Sequence, residues 1–346
     1  MFNKNKNPKY MPLEDVRVFY DEKDGSIHLT SKDKKLPKGK GFHLTLNQGR
    51  TAENTLREML INQGLMDEDI FKGLPSPLTL DHARPASAEW LIPLGRYSAH
   101  EEAIWDMNLD PHLVILGHTG SGKSVLMRNI MFHCFQHPEK FNVMAISPVF
   151  SIEMAPYVDM SPVMTPSSNN FPDIYETINS LTLEMNNRYK KMVEEDVHNF
   201  SKLADPPKRT ILFIDETFSI SQKIDDLMIR LSNGMEKDMY TQMTLNLPGM
   251  IDNLTRLGRA AGIHVVLASQ RADSSIIKRA LDNQTACISM GRVDYGTAKD
   301  VIRDENAFKI NGAVKGRGYF KKYSRAGEFQ SYYADMDWFL RKNADN

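Results

Sequence analysis

The chain is poor in cysteine, in net charge and in long apolar runs, and each shortage removes a class of protein. Only two cysteines occur among 346 residues, Cys134 and Cys287. Both sit in apolar-rich stretches without CxxC spacing. That excludes a disulfide scaffold or a cysteine zinc site and fits a reducing, cytoplasmic setting. No stretch approaches the roughly 20 apolar residues that span a bilayer. The basic start MFNKNKNPKY is not followed by an apolar signal core. Direct membrane insertion is therefore not expected. Net charge is -1, so the whole-chain balance selects no partner. Internal repeats and low-complexity tracts are also missing.

The bulk composition, 41% hydrophobic and 25% charged, is that of a soluble globular protein. The length suffices for two domains. Charge is unevenly placed. Arg271 to Arg325 holds twelve Lys/Arg against six Asp/Glu, and Glu153 to Asp238 holds nine against fifteen. A basic stretch of this kind can face a polyanion, although it is more often a solvated surface.

Residues 1–87 read as a small α+β domain with a linker. Val16–Tyr20 and Ile27–Thr30 form a hairpin across the polar turn Asp21–Gly25, and Phe42–Leu46 is a third strand. Thr51–Gln63 is helical, with Leu56, Met59 and Leu60 on one face. Pro75–Pro85 is the linker. Residues 88–335 form a second domain and 336–346 a tail. In the second domain, short apolar runs (His112–Leu116, Phe141–Ile146, Ile211–Ile214, Ile263–Ala268) alternate with helical patterns (Val125–Phe135, Ile174–Met192, Ile224–Met235). This alternation predicts an α/β fold, a mostly parallel sheet flanked by helices.

The sharpest motif is GHTGSGKS, comprising Gly117, His118, Thr119, Gly120, Ser121, Gly122, Lys123 and Ser124, with Val125 opening a helix. It fits G-x-x-x-x-G-K-[ST] between a strand and a helix. Such a P-loop turns backbone N–H groups toward phosphate oxygens and adds a helix N-terminus. Lys123 then reaches the β and γ phosphates of ATP, and Ser124 ligates Mg²⁺. The apolar strand ending in Asp215-Glu216 completes the pattern. Asp215 would hold Mg²⁺, and Glu216 would polarise the attacking water. Taken alone, that pair could equally cap the next helix; the upstream loop favours hydrolysis.

Within GRAAGIHVVLASQR, Gln270 ends a buried strand where ligand crevices form, in position to sense the γ phosphate. Arg259 precedes the same strand at its other end. It cannot easily reach its own phosphate, so it is either an arginine finger for a neighbour, which implies a ring, or a surface ion pair.

These residues resemble the motor domain of the FtsK/SpoIIIE family of double-stranded DNA translocases. The likeness runs from Ile92-Pro93-Leu94-Gly95 and Asp110-Pro111-His112-Leu113 through the P-loop. It continues with Glu184-Met185, Arg188-Tyr189, Asn199-Phe200, Ile214-Asp215-Glu216 and Arg259–His264, and ends at Ala268-Ser269-Gln270-Arg271 and Gly316-Arg317-Gly318. The resemblance implies a RecA-like core, a hexameric ring, Mg-ATP hydrolysis between subunits and duplex DNA in the central channel. It implies that Arg259 acts in trans and that Arg271 faces DNA, with Lys278, Arg279 and Lys299 as further DNA contacts. Backbone contacts by Lys and Arg suit a motor that reads no bases. Two departures stand out. Ser147-Pro148-Val149 replaces an expected Asp-Pro-Lys, and neither a membrane region nor a winged-helix module flanks the motor. A short form of this kind fits a mobile element or phage, with residues 1–87 as a docking site for a protein partner. The alternatives are a conjugative coupling or DNA-packaging ATPase defined by that partner, and a nucleotide-gated assembly ATPase without pumping.

Other clusters carry less. His133, Cys134 and His137 share a helix but lack further metal ligands. Tyr319, Phe320, Tyr323, Tyr332 and Tyr333 read as strand core or interface.

Overall fold

The computed structural model describes residues 16–21, 26–31, 42–43, 74–146 and 171–341, less 85, 236, 273, 284, 311, 313, 324, 336 and 339–340. Chain contacts divide it into two compact units, Met1–Ile70 and Phe71–Asn346.

In the first unit, β1 (Val16–Asp21), β2 (Ser26–Ser31) and β3 (Phe42–His43) form an antiparallel sheet in that order. Tyr20 lies opposite Ile27, which is the hairpin expected from sequence. The helix expected over 51–63, the rest of Phe42–Leu46 and the segment Ser147–Val149 lie outside the described residues.

The second unit is built on one sheet of nine strands. These are β4 (Leu91–Ser98), β5 (Glu101–Asp106), β6 (His112–Leu116), β7 (Phe141–Ile146), β8 (Arg209–Ile214), β9 (Ile263–Ser269), β10 (Thr285–Met290), β11 (Arg317–Lys322) and β12 (Arg325–Ser331). The order is β5-β4-β12-β11-β10-β6-β9-β8-β7. From β10 to β7 every pairing is parallel. From β10 to β5 every pairing is antiparallel. Four of these five parallel strands, β6 to β9, were anticipated from the apolar runs; β10, Thr285–Met290, was not.

The helices accompanying the sheet include α1 (Lys123–Phe135), α2 (Phe171–Glu194), α3 (Thr217–Ser232), α4 (Met239–Ala261) and α5 (Ser275–Asp282). Alternation along the strands decides which helix each residue meets. Leu113 and Ile115 of β6 join Val266, Ala268 and the α1 residues Leu126 and Ile130 in one core. Val114 and Leu116 join Val265 and Leu267 with Ile178 of α2, Ile251 of α4 and Ile277 of α5 in the other. A strand covered on both faces needs no polar residue, which is why β9 is buried at all seven positions. The helix expected from Ile224 begins seven residues earlier, at Thr217. Thr217 and Ile220 of its first turn are buried and Phe218 and Ser219 half-buried, with the Thr217 hydroxyl donating to Ala268 O at 2.9 Å, so no exposed polar face announces it. Among the described residues no helix is long and apolar enough to cross a membrane.

Candidate functional site

The P-loop leaves β6 at its C-terminal end. Gly117 N–H donates to Ser269 O at 3.2 Å, one step beyond the β6–β9 ladder, and fastens the loop to the tip of β9. A Cβ on Gly117 would stand 2.5 Å from Ser121 Oγ and 2.8 Å from Met290 O, so only glycine fits. Gly122 caps α1 with φ at 103°, a left-handed conformation that L side chains avoid. Lys123 and Ser121 are both buried. Ser121 Oγ is buried without a hydrogen-bond partner. A glycine cradle at a helix N-terminus, with a buried lysine and an unsatisfied hydroxyl, fits the phosphates of a nucleotide.

Two further strand tips converge there. Asp215 N–H donates to Ile146 O at 2.8 Å, which places it between the ends of β8 and β7. Glu216 has φ 56° and ψ 56° and makes no side-chain cap to α3. The helix-capping alternative for this residue is therefore unsupported. A left-handed glutamate costs on the order of 1–3 kcal/mol, a strain typical of functional positions. At the tip of β9, Gln270 Oε1 accepts from Thr119 Oγ1 at 3.2 Å. Gln270, expected from sequence to sense the γ phosphate, thus lies beside the P-loop. Gly316 belongs here too: its Cα lies 3.7 Å from where a Cβ on Gly122 would stand.

The opposite end of the sheet is differently built. Arg259 is exposed in the last turn of α4, just before β9 begins. Seven residues of strand, about 20 Å, separate it from the P-loop end. It lines a cavity of ≈ 530 Å³ with Asp110, Thr285, Arg303, Lys322 and Tyr323. Burial holds the Asp110 carboxyl above its ordinary value, offset in part by the Tyr323 N–H and by the Lys322 and Arg259 charges.

Residues quoted in the family resemblance support this end. Arg188, 3% exposed, donates to Ala261 O at 2.7 Å, Lys208 O at 2.9 Å and Thr210 Oγ1 at 3.0 Å, and pairs with Glu184. Phe200 fills the space beside Gly262, where a Cβ would stand 2.6 Å from its ring. Both grip the α4–β9 turn immediately after Arg259. Beneath it lie His264 and His112. His264 Nδ1–H donates to Pro111 O at 2.7 Å, and Nε2 accepts from Arg209 at 3.1 Å. His112 Nδ1 accepts from Val265 N–H at 3.1 Å. Burial depresses both imidazoles, His112 to about 3, and the Arg209 charge lowers His264 further. Sequence reasoning had quoted Arg188, Phe200 and His112 without seeing their structural use. Their signal was the apolar or helical context around each polar group.

The four basic candidates are exposed. Arg271 lies over the Phe218 ring at 4.8 Å. Lys278 and Arg279 occupy the outward face of α5, and Lys299 lies on the π-helical turn Thr297–Ile302. His133 contacts Glu89 O at 2.8 Å, and both cysteines are free and buried. Tyr319, Phe320 and Tyr332 are core, whereas Tyr323 is 91% exposed at the β11–β12 turn.

The FtsK/SpoIIIE family's sequence model matches residues 81–274. The DNA translocase FtsK of Campylobacter jejuni is 26% identical over 216 residues, 62% of this chain and 20% of that protein. The Streptococcus pneumoniae FtsK is 28% identical over 244 residues, 66% of this chain and 29% of that protein. The chain thus spans less than a third of the length of these curated relatives. In fold it is similar to the pCW3 conjugation coupling protein TcpA, solved as a monomer with ATPγS. The TM-score is 0.70 at 20% identity, covering 95% of this chain and 92% of that one. The type VII secretion ATPase EccC of Thermomonospora curvata gives 0.58 at 18% identity, over 81% and 33%.

Proposed function

We propose, for a chain that belongs to the FtsK/SpoIIIE family, that ATP hydrolysis at the tips of β6, β8 and β9 drives movement along double-stranded DNA in a ring of copies, six by family resemblance. The chain is a P-loop ATPase; the translocation, the ring and the residue roles are the proposal. One observation carries it. Gln270 bonds to the P-loop at one end of β9, and Arg259 is presented to solvent at the other.

Bound Mg-ATP supplies the β–γ phosphoanhydride that hydrolysis breaks. Backbone N–H groups of Gly117–Ser124 and the helix N-terminus hold its phosphates, with Val125 in the first turn of α1. Lys123 offsets phosphate charge. Ser124 and Asp215 would hold the Mg²⁺. Glu216, free of a capping bond, takes the proton from the attacking water. Gln270 links that event to β9. Arg259 serves the site of the adjacent copy. Arg271, Lys278, Arg279 and Lys299 contact DNA phosphates, which fits their exposure and the local positive excess.

The test is the ATPase rate of the wild type and of Glu216→Gln, without DNA, with duplex and with single strand, at low and high salt. Duplex should accelerate the wild type several-fold and salt should remove the effect. Glu216→Gln should lose about 10²–10⁴-fold in rate. Hydrolysis indifferent to duplex would overturn the motor reading.

A second reading is a coupling ATPase that docks a protein partner through residues 1–87. It rests on the fold match with a conjugation coupling protein over nearly the full length of both chains. Deleting residues 1–70, the first compact unit, would then spare DNA-stimulated hydrolysis and abolish partner capture.

A further inference from the structure

We infer that Ser221 and Ser274, a buried hydroxyl pair outside the nucleotide site, position the basic helix α5 against the hydrolysis machinery, so that DNA contact and turnover are linked through them. The inference rests on the motor reading above.

The segment between β9 and α5 is fastened at three points. Gln270 accepts from Thr119 of the P-loop at 3.2 Å. Arg271 lies over Phe218, two residues after Glu216, at 4.8 Å. Ser274 and Ser221 share a hydroxyl–hydroxyl hydrogen bond of 2.8 Å. The first two contacts touch residues already assigned to the site or to DNA. The third does not. It joins the second turn of α3, whose N-cap is Glu216, to the N-cap of α5, where Ser274 Oγ also accepts from Ile277 N–H at 3.4 Å.

Burial gives the pair its stiffness. Ser221 is 6% exposed and Ser274 4%, beside the buried Ile220, Ile276 and Ile277. Separating the hydroxyls would strand Ser221 away from water and leave Ser274 Oγ with only the 3.4 Å bond from Ile277 N–H, so the two helix starts move together. At one end of this connection is the left-handed Glu216 backbone (φ 56°). Relaxing it would swing the first turn of α3. At the other end, α5 turns Ile276, Ile277 and Ala280 inward and Lys278 and Arg279 outward. A phosphate backbone pulling on the outward face therefore acts on α3 through the serine pair. The path is contiguous and short.

The experiment is Ser221→Ala in the full chain, with three readouts: basal ATPase, duplex-stimulated ATPase, and duplex affinity by fluorescence anisotropy. Basal rate and affinity should stay at wild-type values. The stimulation by duplex should fall about five-fold, the loss expected for one hydrogen bond. Ser221→Thr, which keeps the hydroxyl, should restore it. If the alanine variant does not fold, Ser221→Cys keeps the volume with a weaker hydrogen bond and serves the same test. Full stimulation in either variant, or a proportional fall of basal and stimulated rates, would overturn the inference. A wild type that ignores duplex would overturn the motor reading along with it. A stimulated wild type with an equally stimulated Ser221→Ala would overturn the linkage alone.

Discussion

The two ends of the parallel sheet are made from the same strands and finished in opposite ways. At the C-terminal tips, glycines bring backbone close to backbone, Glu216 is held left-handed without a cap, and Ser121 Oγ is buried without a partner. At the N-terminal ends the polar groups hold a turn, although Asp110 Oδ2, His112 Nε2 and Arg188 Nε are also buried without a partner. Arg188 spreads its bonds over three acceptors and Glu184, and His264 uses both nitrogens. The lesson is a division of labour. Both ends keep some buried polar atoms without partners; they differ in that one carries a glycine cradle and a left-handed glutamate, and the other a turn held by Arg188 and Phe200. Arg259 stands exposed beside that turn.

Arg259→Ala breaks the comparison hardest. We expect about a 10³-fold loss of hydrolysis with nucleotide binding intact. Mixing it with Lys123→Ala should recover part of the rate, because each variant supplies the end that the other lacks. Steady-state ATPase of the mixture checks this, and no recovery would place Arg259 outside the neighbour's site.

Arg188→Ala is next. It leaves the carbonyls of Ala261 and Lys208 without a donor and should cost about 3 kcal/mol of stability. Urea unfolding monitored by circular dichroism measures it. An equally stable variant would show that the turn is held by Phe200 alone.

Acid sharpens the contrast through the histidines. A neutral buried imidazole with its pKa held below the ordinary 6.5 contributes stability that is full above that value. The contribution is lost as pH falls from 6.5 toward about 3 for His112. The slope should reach at most about 1.4 kcal/mol per pH unit for each such histidine. Unfolding free energies at several pH values test the sign, and His112→Asn should flatten the slope.

The smallest effect is expected from Thr119→Val, which removes one exposed hydrogen bond to Gln270. Hydrolysis should change by about two- to five-fold, measured as kcat with KM for ATP.

Most of the parallel half was legible because β6, β8 and β9 are almost wholly buried and therefore almost wholly apolar, whereas β10, with the sequence TACISM, was not. The P-loop was legible because glycine spacing, lysine and flanking periodicity all agree. The antiparallel extension was not. β4 carries Pro93 and Gly95 with register shifts, and β12 is half exposed, so neither gives a clean period of two. The family motif around Ile92–Gly95 marked that place without declaring a strand. Arg188 was visible as a motif member, but its use depends on carbonyls some 20 to 74 positions away, which no local pattern reveals. Likewise Ser221 and Ser274 are 53 positions apart and unremarkable where they stand.

The strand order also dictates when the catalytic end can exist during synthesis. β6 is flanked by β9 and β10, so the strand carrying the P-loop gains both neighbours only after Met290 has been made. At a ribosomal pace of roughly 5–20 residues per second, β6 waits on the order of ten to thirty seconds with bare edges. A nascent chain stalled before β9 would display an apolar strand with open hydrogen bonds, a substrate for chaperones. The nucleotide cradle at the end of β6 therefore gains its full strand support only late in the synthesis of this sheet.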